Sequence, residues 1–344
     1  DGVFGTAFET ALPGAFGFKD LRSAGAAKQA MSAPLVQGKD GKPASLGQLA
    51  IFRPGLGNIP PSPAQVFRAA QHAGKVVVAY TNSNDPAQNQ LRPLTEVGGV
   101  PVPPELRGKI FGIGSPKHAV ISYEQSSDTF IKQLETMHNS QKLLGADVLT
   151  SGATVIAHSQ GSLDSALTRQ RLEEAGFPNA IGKLVTLAPA FGGSDLAAKA
   201  FGQIGGGALS LLDGDDGKRA LQALNPALVK ATFTPDKQRL VDLTLTSTIG
   251  DACHVQPKFG FPPFEVKGNN NIRPQFRILA GGGEMNRVLG GDWGGLHDLL
   301  KAGAGSQDND GMVTLDSARF GKQFAVLDKH YDHAGIIEDA DVID

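Results

Sequence analysis

Thr154-Val-Ile-Ala-His-Ser-Gln-Gly161 is the stretch that decides the fold. Thr154 to Ala157 is apolar and β-branched, which reads as a buried strand. Beyond Gly161, Leu163, Ala166, Leu167 and Leu172 recur at helical spacing. Between strand and helix lies Ala157-His158-Ser159-Gln160-Gly161, a small-x-Ser-x-small turn. A backbone that reverses this sharply needs small residues two before and two after the serine. The serine then takes a strained φ/ψ and its Oγ is lifted clear of the sheet. Ser159 is therefore a candidate nucleophile. The competing reading makes Ser159 a simple cap of the following helix, with His158 a packed neighbour, and partners elsewhere in the chain must decide between them.

Working outward, Leu49-Ala50-Ile51-Phe52 is a short apolar run stopped by Arg53-Pro54-Gly55, a buried strand entering a turn. Pro63 to His72 has helical spacing and is closed by Gly74, and Val76 to Tyr80 is a second strand. A helix is expected over Asp128 to Leu144. Further strands are expected at Lys183 to Ala188, Val241 to Thr246 and Phe324 to Leu327. Strands alternating with helices argue for right-handed βαβ units and a parallel sheet covered on both faces. Residues 1–45 read as an irregular N-terminal arm, and 46–344 as one domain. Two stretches, about 190–240 and 252–309, interrupt the alternation and read as insertions, the first as a cap or lid. Within it Phe191, Leu196 and Phe201 suit either an apolar acyl channel or ordinary cap packing.

Composition agrees with this and excludes other classes. The chain has 344 residues, 40% hydrophobic and 19% charged, enough for a sizeable core and too apolar for disorder. Its 32 Lys and Arg against 34 Asp and Glu give no electrostatic reason for a nucleic-acid partner. No run of 18 apolar residues exists to span a membrane. The lone cysteine, Cys253, can form neither an internal disulfide nor a multi-cysteine metal site. Asp213-Gly-Asp-Asp-Gly217 lacks the spacing and closing Glu of a calcium loop, so no metal and no cofactor is expected. The chain opens at Asp1 with no visible leader. Removal of an export signal is the expectation, placing the protein outside the cell or in the periplasm, as a monomer.

A serine at its ordinary pKa needs an imidazole to take its proton, and the imidazole needs a carboxylate to fix its tautomer. On a sheet of this type the chain order is serine, acid, histidine. His254, His297, His330 and His333 follow Ser159. His333, in Tyr331-Asp-His-Ala-Gly335 just past the last expected strand, is placed to reach over the serine, whereas His330 reads as a surface or packing residue. Two acids compete: Asp310 in Asn309-Asp-Gly-Met-Val313, and Asp251 at the end of the fifth strand before Val255-Gln-Pro257. An Asn-Asp-Gly aspartate is also an ordinary turn residue.

These residues resemble those of the α/β-hydrolase lipases. Asn309-Asp-Gly-Met-Val-Thr-Leu-Asp-Ser-Ala-Arg-Phe-Gly-Lys322, ending at Tyr331-Asp-His333, is similar to the acid-to-histidine segment of bacterial true lipases. That likeness implies Asp310 as acid and His333 as base. Ala334-Gly335 stands where those enzymes carry a calcium-binding Leu-Asp. Ser159-Gln-Gly161, Asp332-His-Ala-Gly335 and Leu187-Ala-Pro189 resemble lipases of the Candida antarctica lipase B type, whose acid precedes Val-Gln-Pro and would be Asp251. The longer match favours Asp310. Both likenesses imply an oxyanion hole from the backbone N–H of Gln160 and, after the Pro-Gly turn, of Leu56.

The function implied is cleavage of carboxylic esters by a lipase or carboxylesterase through an acyl-enzyme on Ser159. The substrate is an ester or lipid, met in places at a lipid–water interface. A polyester depolymerase of the polyhydroxyalkanoate kind is the alternative, and a non-catalytic binding protein on a hydrolase scaffold is the alternative of another class.

Overall fold

The computed structural model describes residues 23–37, 43–55, 60–80, 89–114, 122–194, 219–248 and 308–344, except 221, 311, 330, 332 and 334. Leu56, Asp251, Cys253, and most of the two expected insertions lie outside the described residues. The first elements are α1 (Ala24–Ser32), β1 (Gly47–Arg53), α2 (Pro63–His72) and β2 (Ala73–Ala79). Three two-residue strands follow, β3 (Arg92–Pro93), β4 (Glu96–Val97) and β5 (Val100–Pro101), and then β6 (Ile110–Ile113). Next come α3 (Tyr123–Asn139), α4 (Gln141–Leu144), β7 (Ala153–His158), α5 (Gln160–Glu174) and β8 (Ile181–Leu187). The last are α6 (Pro226–Thr232), β9 (Leu243–Thr246), α7 (Leu315–Ala318) and β10 (Phe324–Val326).

Eight of these strands form one sheet in the order β10-β9-β8-β7-β1-β2-β6-β3. Every neighbouring pair is parallel except β3 with β6. The chain enters at the centre with β1, steps outward through β2 to β6, returns to the other side of β1 with β7, and steps outward again to β10. The direction of winding therefore reverses between β1 and β7. In such a sheet the crevice for a ligand opens at the carboxyl ends of the strands flanking the reversal. Pro54 follows one of those ends and Ser159 the other.

Period-two alternation sends each strand's side chains to two separate cores. Leu49, Ile51, Val77, Val155 and Ala157 join α3 and α5 through Phe130, Leu134, Leu163 and Ala166. Ala50, Phe52, Val76, Val78 and Ile156 join α2 through Val66, Phe67, Ala69 and Ala70. Burial on both faces explains why the central strands read as unbroken apolar runs rather than as alternating ones.

Four features depart from the sequence reading. Residues 24–32, expected in an irregular arm, form a helix packed on α2. Ser23 caps its N-terminus, and Arg68 on α2 donates to the carbonyls of Ala33 (2.9 Å) and Pro34 (2.6 Å) beyond its end. The helix expected over Asp128 to Leu144 starts at Tyr123, because Ser122 and Gln125 form a capping box there, and it breaks at Ser140. Gly74 is a strand residue: α2 ends at His72, and a Cβ on Gly74 would sit 2.7 Å from the Gln48 carbonyl oxygen. Strand β6 was not expected. Gly112 interrupts its short apolar run, and a side chain there would collide with Leu94.

Candidate active site

The turn after β7 has the geometry its sequence predicts. Ser159 stands at φ 54°, ψ −127°, a left-handed conformation rare for a residue with a side chain. Its N–H donates to the Leu187 carbonyl (3.0 Å), and its own carbonyl accepts from Ser162 N (3.0 Å). Gln160 is the first residue of α5, where the opening N–H groups have no partner inside the helix and carry the positive end of its dipole.

The Pro54-Gly55 turn lies directly on this elbow. A Cβ on Gly55 would stand 2.6 Å from Ser159 Cβ and 3.3 Å from Gln160 N. A Cβ on Gly161 would stand 2.5 Å from the Pro54 carbonyl oxygen and 2.7 Å from that of Arg53. Each glycine is needed because the other backbone occupies the space. The contact brings Pro54 and Gly55 up to Ser159; Leu56 is outside the described residues.

The structure brings Ser159, His333 and Asp310 together. His333 Nε2 is 2.8 Å from Ser159 Oγ, and His333 Nδ1 is 2.7 Å from Asp310 Oδ2. Asp310 is 1% exposed and His333 7%. A carboxylate only accepts, so Nδ1 carries the ring proton and Nε2 faces the hydroxyl as an acceptor. Asp310 is also the turn residue its motif suggests, since its Oδ1 accepts from the backbone N–H of Met312 (2.9 Å) and Val313 (2.8 Å). The turn contacts and the contact to His333 both fall on this one carboxylate. They use different oxygens.

The loop that carries His333 is tied to the sheet. Ser247, just past β9, donates to the Lys329 carbonyl (2.8 Å) and accepts from Tyr331 N (2.8 Å). Tyr331 is buried and donates to Asp339 (2.9 Å). Burial, and next the Asp339 carboxylate, push its phenol far above the usual tyrosine range. The His333 N–H donates to the Asp310 carbonyl (2.9 Å), and the His333 carbonyl accepts from His158 Nε2 (2.7 Å).

One buried network under the site escaped the sequence reading. Arg53, taken there as the residue that stops a strand, is 1% exposed. Its guanidinium grips Asp164 of α5 with two contacts of 3.1–3.2 Å, and donates to Gln133 (3.0 Å) and Ser126 (2.8 Å) of α3. It also lies over the Phe130 ring at 4.8 Å. Desolvation raises the Asp164 pKa and the Arg53 charge opposes that rise. An aspartate beside Leu163 in an apolar helix stripe, and an arginine ending an apolar strand, were the available signals. Of the two readings of Phe191, acyl channel or ordinary packing, its place favours packing: it is stacked on Phe320 at 4.2 Å in the core. Among the described residues no group of three or more His, Cys, Asp or Glu is placed to hold a metal ion, and no helix is long and apolar enough to cross a membrane.

No protein-family model matches the sequence, and no curated protein matches it. Among solved structures the chain is similar to the mature form of Bacillus licheniformis lipase BlEst2, at 15% identity and a TM-score of 0.44, covering 90% of this chain and 91% of that one. It is similar also to the metagenomic carboxyl esterase MGS0156 (12%, TM-score 0.47, 90% and 73% covered). A third is phospholipase PlaB from Legionella pneumophila (14%, TM-score 0.41, 85% and 55% covered). What the strand order and the turn at Ser159 establish is the fold of the α/β-hydrolases.

Proposed function

We propose that the chain cleaves carboxylic esters as a lipase or carboxylesterase, with Ser159 as nucleophile, His333 as base and Asp310 as orienting acid. The observation that carries this reading is the imidazole of His333 set between the Ser159 hydroxyl at 2.8 Å and the Asp310 carboxylate at 2.7 Å. His333 takes the Ser159 proton as Oγ attacks the ester carbonyl. Asp310 holds Nδ1–H, so the imidazolium that forms is stabilised without losing its orientation. The new oxyanion lies at the opening of α5, with Gln160 N–H as one donor and Leu56 N–H as the second. Collapse of the tetrahedral adduct passes the His333 proton to the departing alcohol and leaves an acyl group on Ser159. Water, deprotonated by His333, attacks that acyl group, and the acid departs as Ser159 recovers its proton.

A fluorophosphonate probe tests the reading: a single adduct on Ser159 is expected, and its absence favours a binding protein on a hydrolase scaffold. Ser159→Ala is expected to lower kcat by roughly 10⁶-fold. A series of p-nitrophenyl esters of rising chain length, run beside emulsified triglyceride and polyester film, assigns the substrate class. Turnover confined to the film makes the chain a polyester depolymerase.

A further inference from the structure

His158 is a titratable side chain of the elbow that the chemistry above leaves without a task, and it is only 5% exposed. Its Nε2 is 2.7 Å from the carbonyl oxygen of His333, and the two imidazole centroids are 4.8 Å apart. A carbonyl cannot donate, so Nε2 carries the proton. Among the described residues Nδ1 has no hydrogen-bond partner, and it is left as a buried acceptor. The ring borders a small cavity walled by Phe52, Pro54, Pro61, Ile156, Leu187 and Ile337, with Arg53, itself a cation, also on its wall. A second proton on the ring would put a charge and an unpaired donor into that setting. Desolvation first, and the neighbouring His333 second, hold the ring's pKa well below the ordinary histidine value.

We infer that His158 is a positioning residue, whose Nε2–H grips the backbone carbonyl of His333 and sets the base at its working distance from Ser159. The inference rests on the reading of Ser159 and His333 as nucleophile and base. His333 is then held at three points. Its N–H is fixed by the Asp310 carbonyl, its Nδ1 by the Asp310 carboxylate, and its carbonyl by His158. The third point is special because His158 is the covalent neighbour of Ser159. A shift of the elbow moves nucleophile and anchor together, so the separation of Oγ and Nε2 survives motion that would otherwise open it. An error of about 1 Å in such a separation costs about 10²-fold in rate. Neutrality matters as well. When His333 becomes an imidazolium, a second cation 4.8 Å away would oppose its formation, and a ring kept uncharged does not.

Two substitutions separate this role from mere filling of space. His158→Gln places an amide nitrogen where Nε2 stands, whereas His158→Asn carries an amide too short to reach the carbonyl. With p-nitrophenyl butyrate as probe, His158→Asn is expected to lower kcat about 30- to 100-fold while KM stays within about twofold, and His158→Gln is expected to recover kcat to within about fivefold of the parent. The rate of fluorophosphonate labelling at Ser159 should follow the same order. A folded His158→Asn enzyme with parental kcat overturns the inference, and so does a folded His158→Gln enzyme as impaired as His158→Asn. Should neither variant fold, ¹⁵N NMR of the parent decides. A neutral ring protonated on Nε2 at a pH where a free imidazole is charged supports the role, and a proton on Nδ1 overturns it. Parent enzyme that labels at Ser159 keeps the catalytic reading whatever the variants do; parent enzyme that forms no adduct sinks both.

Discussion

Asp310 divides its carboxylate between two tasks, with Oδ1 closing the Asn-Asp-Gly turn and Oδ2 holding His333. Asp310→Asn keeps the turn acceptor but offers the imidazole an amide, which favours the wrong tautomer. A fall in kcat of roughly 10⁴-fold is expected with the fold retained, whereas Asp251→Asn should leave kcat within about twofold. A large loss at position 251 and none at 310 would hand the role of acid to Asp251. As candidates, Ser159 and His333 were legible from sequence by residue type and chain order, and Asp310 only through the longer lipase likeness, with Asp251 left open beside it. His158 and the Arg53–Asp164 pair were not. Their importance comes from burial and from partners 175 and 111 residues away, and the local hints, an aspartate in an apolar stripe and an arginine ending a strand, name no partner.

At the scale of elements, the end of β1 and the start of α5 are held together twice, by backbone contact at the two glycines and by the Arg53–Asp164 pair. Gly161→Ala forces a methyl against the Arg53 and Pro54 carbonyls, for an expected loss of about 1–3 kcal/mol and a lower kcat as the elbow shifts. Arg53→Met leaves Asp164 buried without its counter-charge, and should cost about 3–5 kcal/mol in urea unfolding. Arg53→Met combined with Asp164→Leu should recover much of that loss, since two apolar side chains of similar volume satisfy each other. If the double variant is no better than Arg53→Met alone, the charge pair is not what sets the stability of this junction. The central strands could be read from sequence because both their faces are buried. Helix α1 could not, since its nine residues are Ala-rich and its docking depends on Arg68 and Gln71 reaching back from α2.

Across the whole molecule, His158 links stability to pH. Its folded pKa lies well below its unfolded one, so below about pH 6.5 the unfolded chain binds a proton that the folded chain refuses. Stability should therefore fall with pH from there, by up to about 1.4 kcal/mol per pH unit from this group. Toward pH 4 and below, Asp242 and Asp344 add to the loss. Although burial opposes them, Lys322 and Leu184 N–H lower the first, and Arg68 and His72 lower the second. Unfolding of the parent and of His158→Gln across pH 4.5–6.5 checks this, with a shallower slope expected for the variant. The order of strands was only partly legible, because alternation announces a parallel sheet but not the point where winding reverses. That point is where Gly55 and Gly161 leave no room for even one methyl group. Selection for new substrates thus has no freedom in the floor beneath the serine. On the proposed function it must act on side chains around the rim, because a methyl at either glycine displaces the elbow itself.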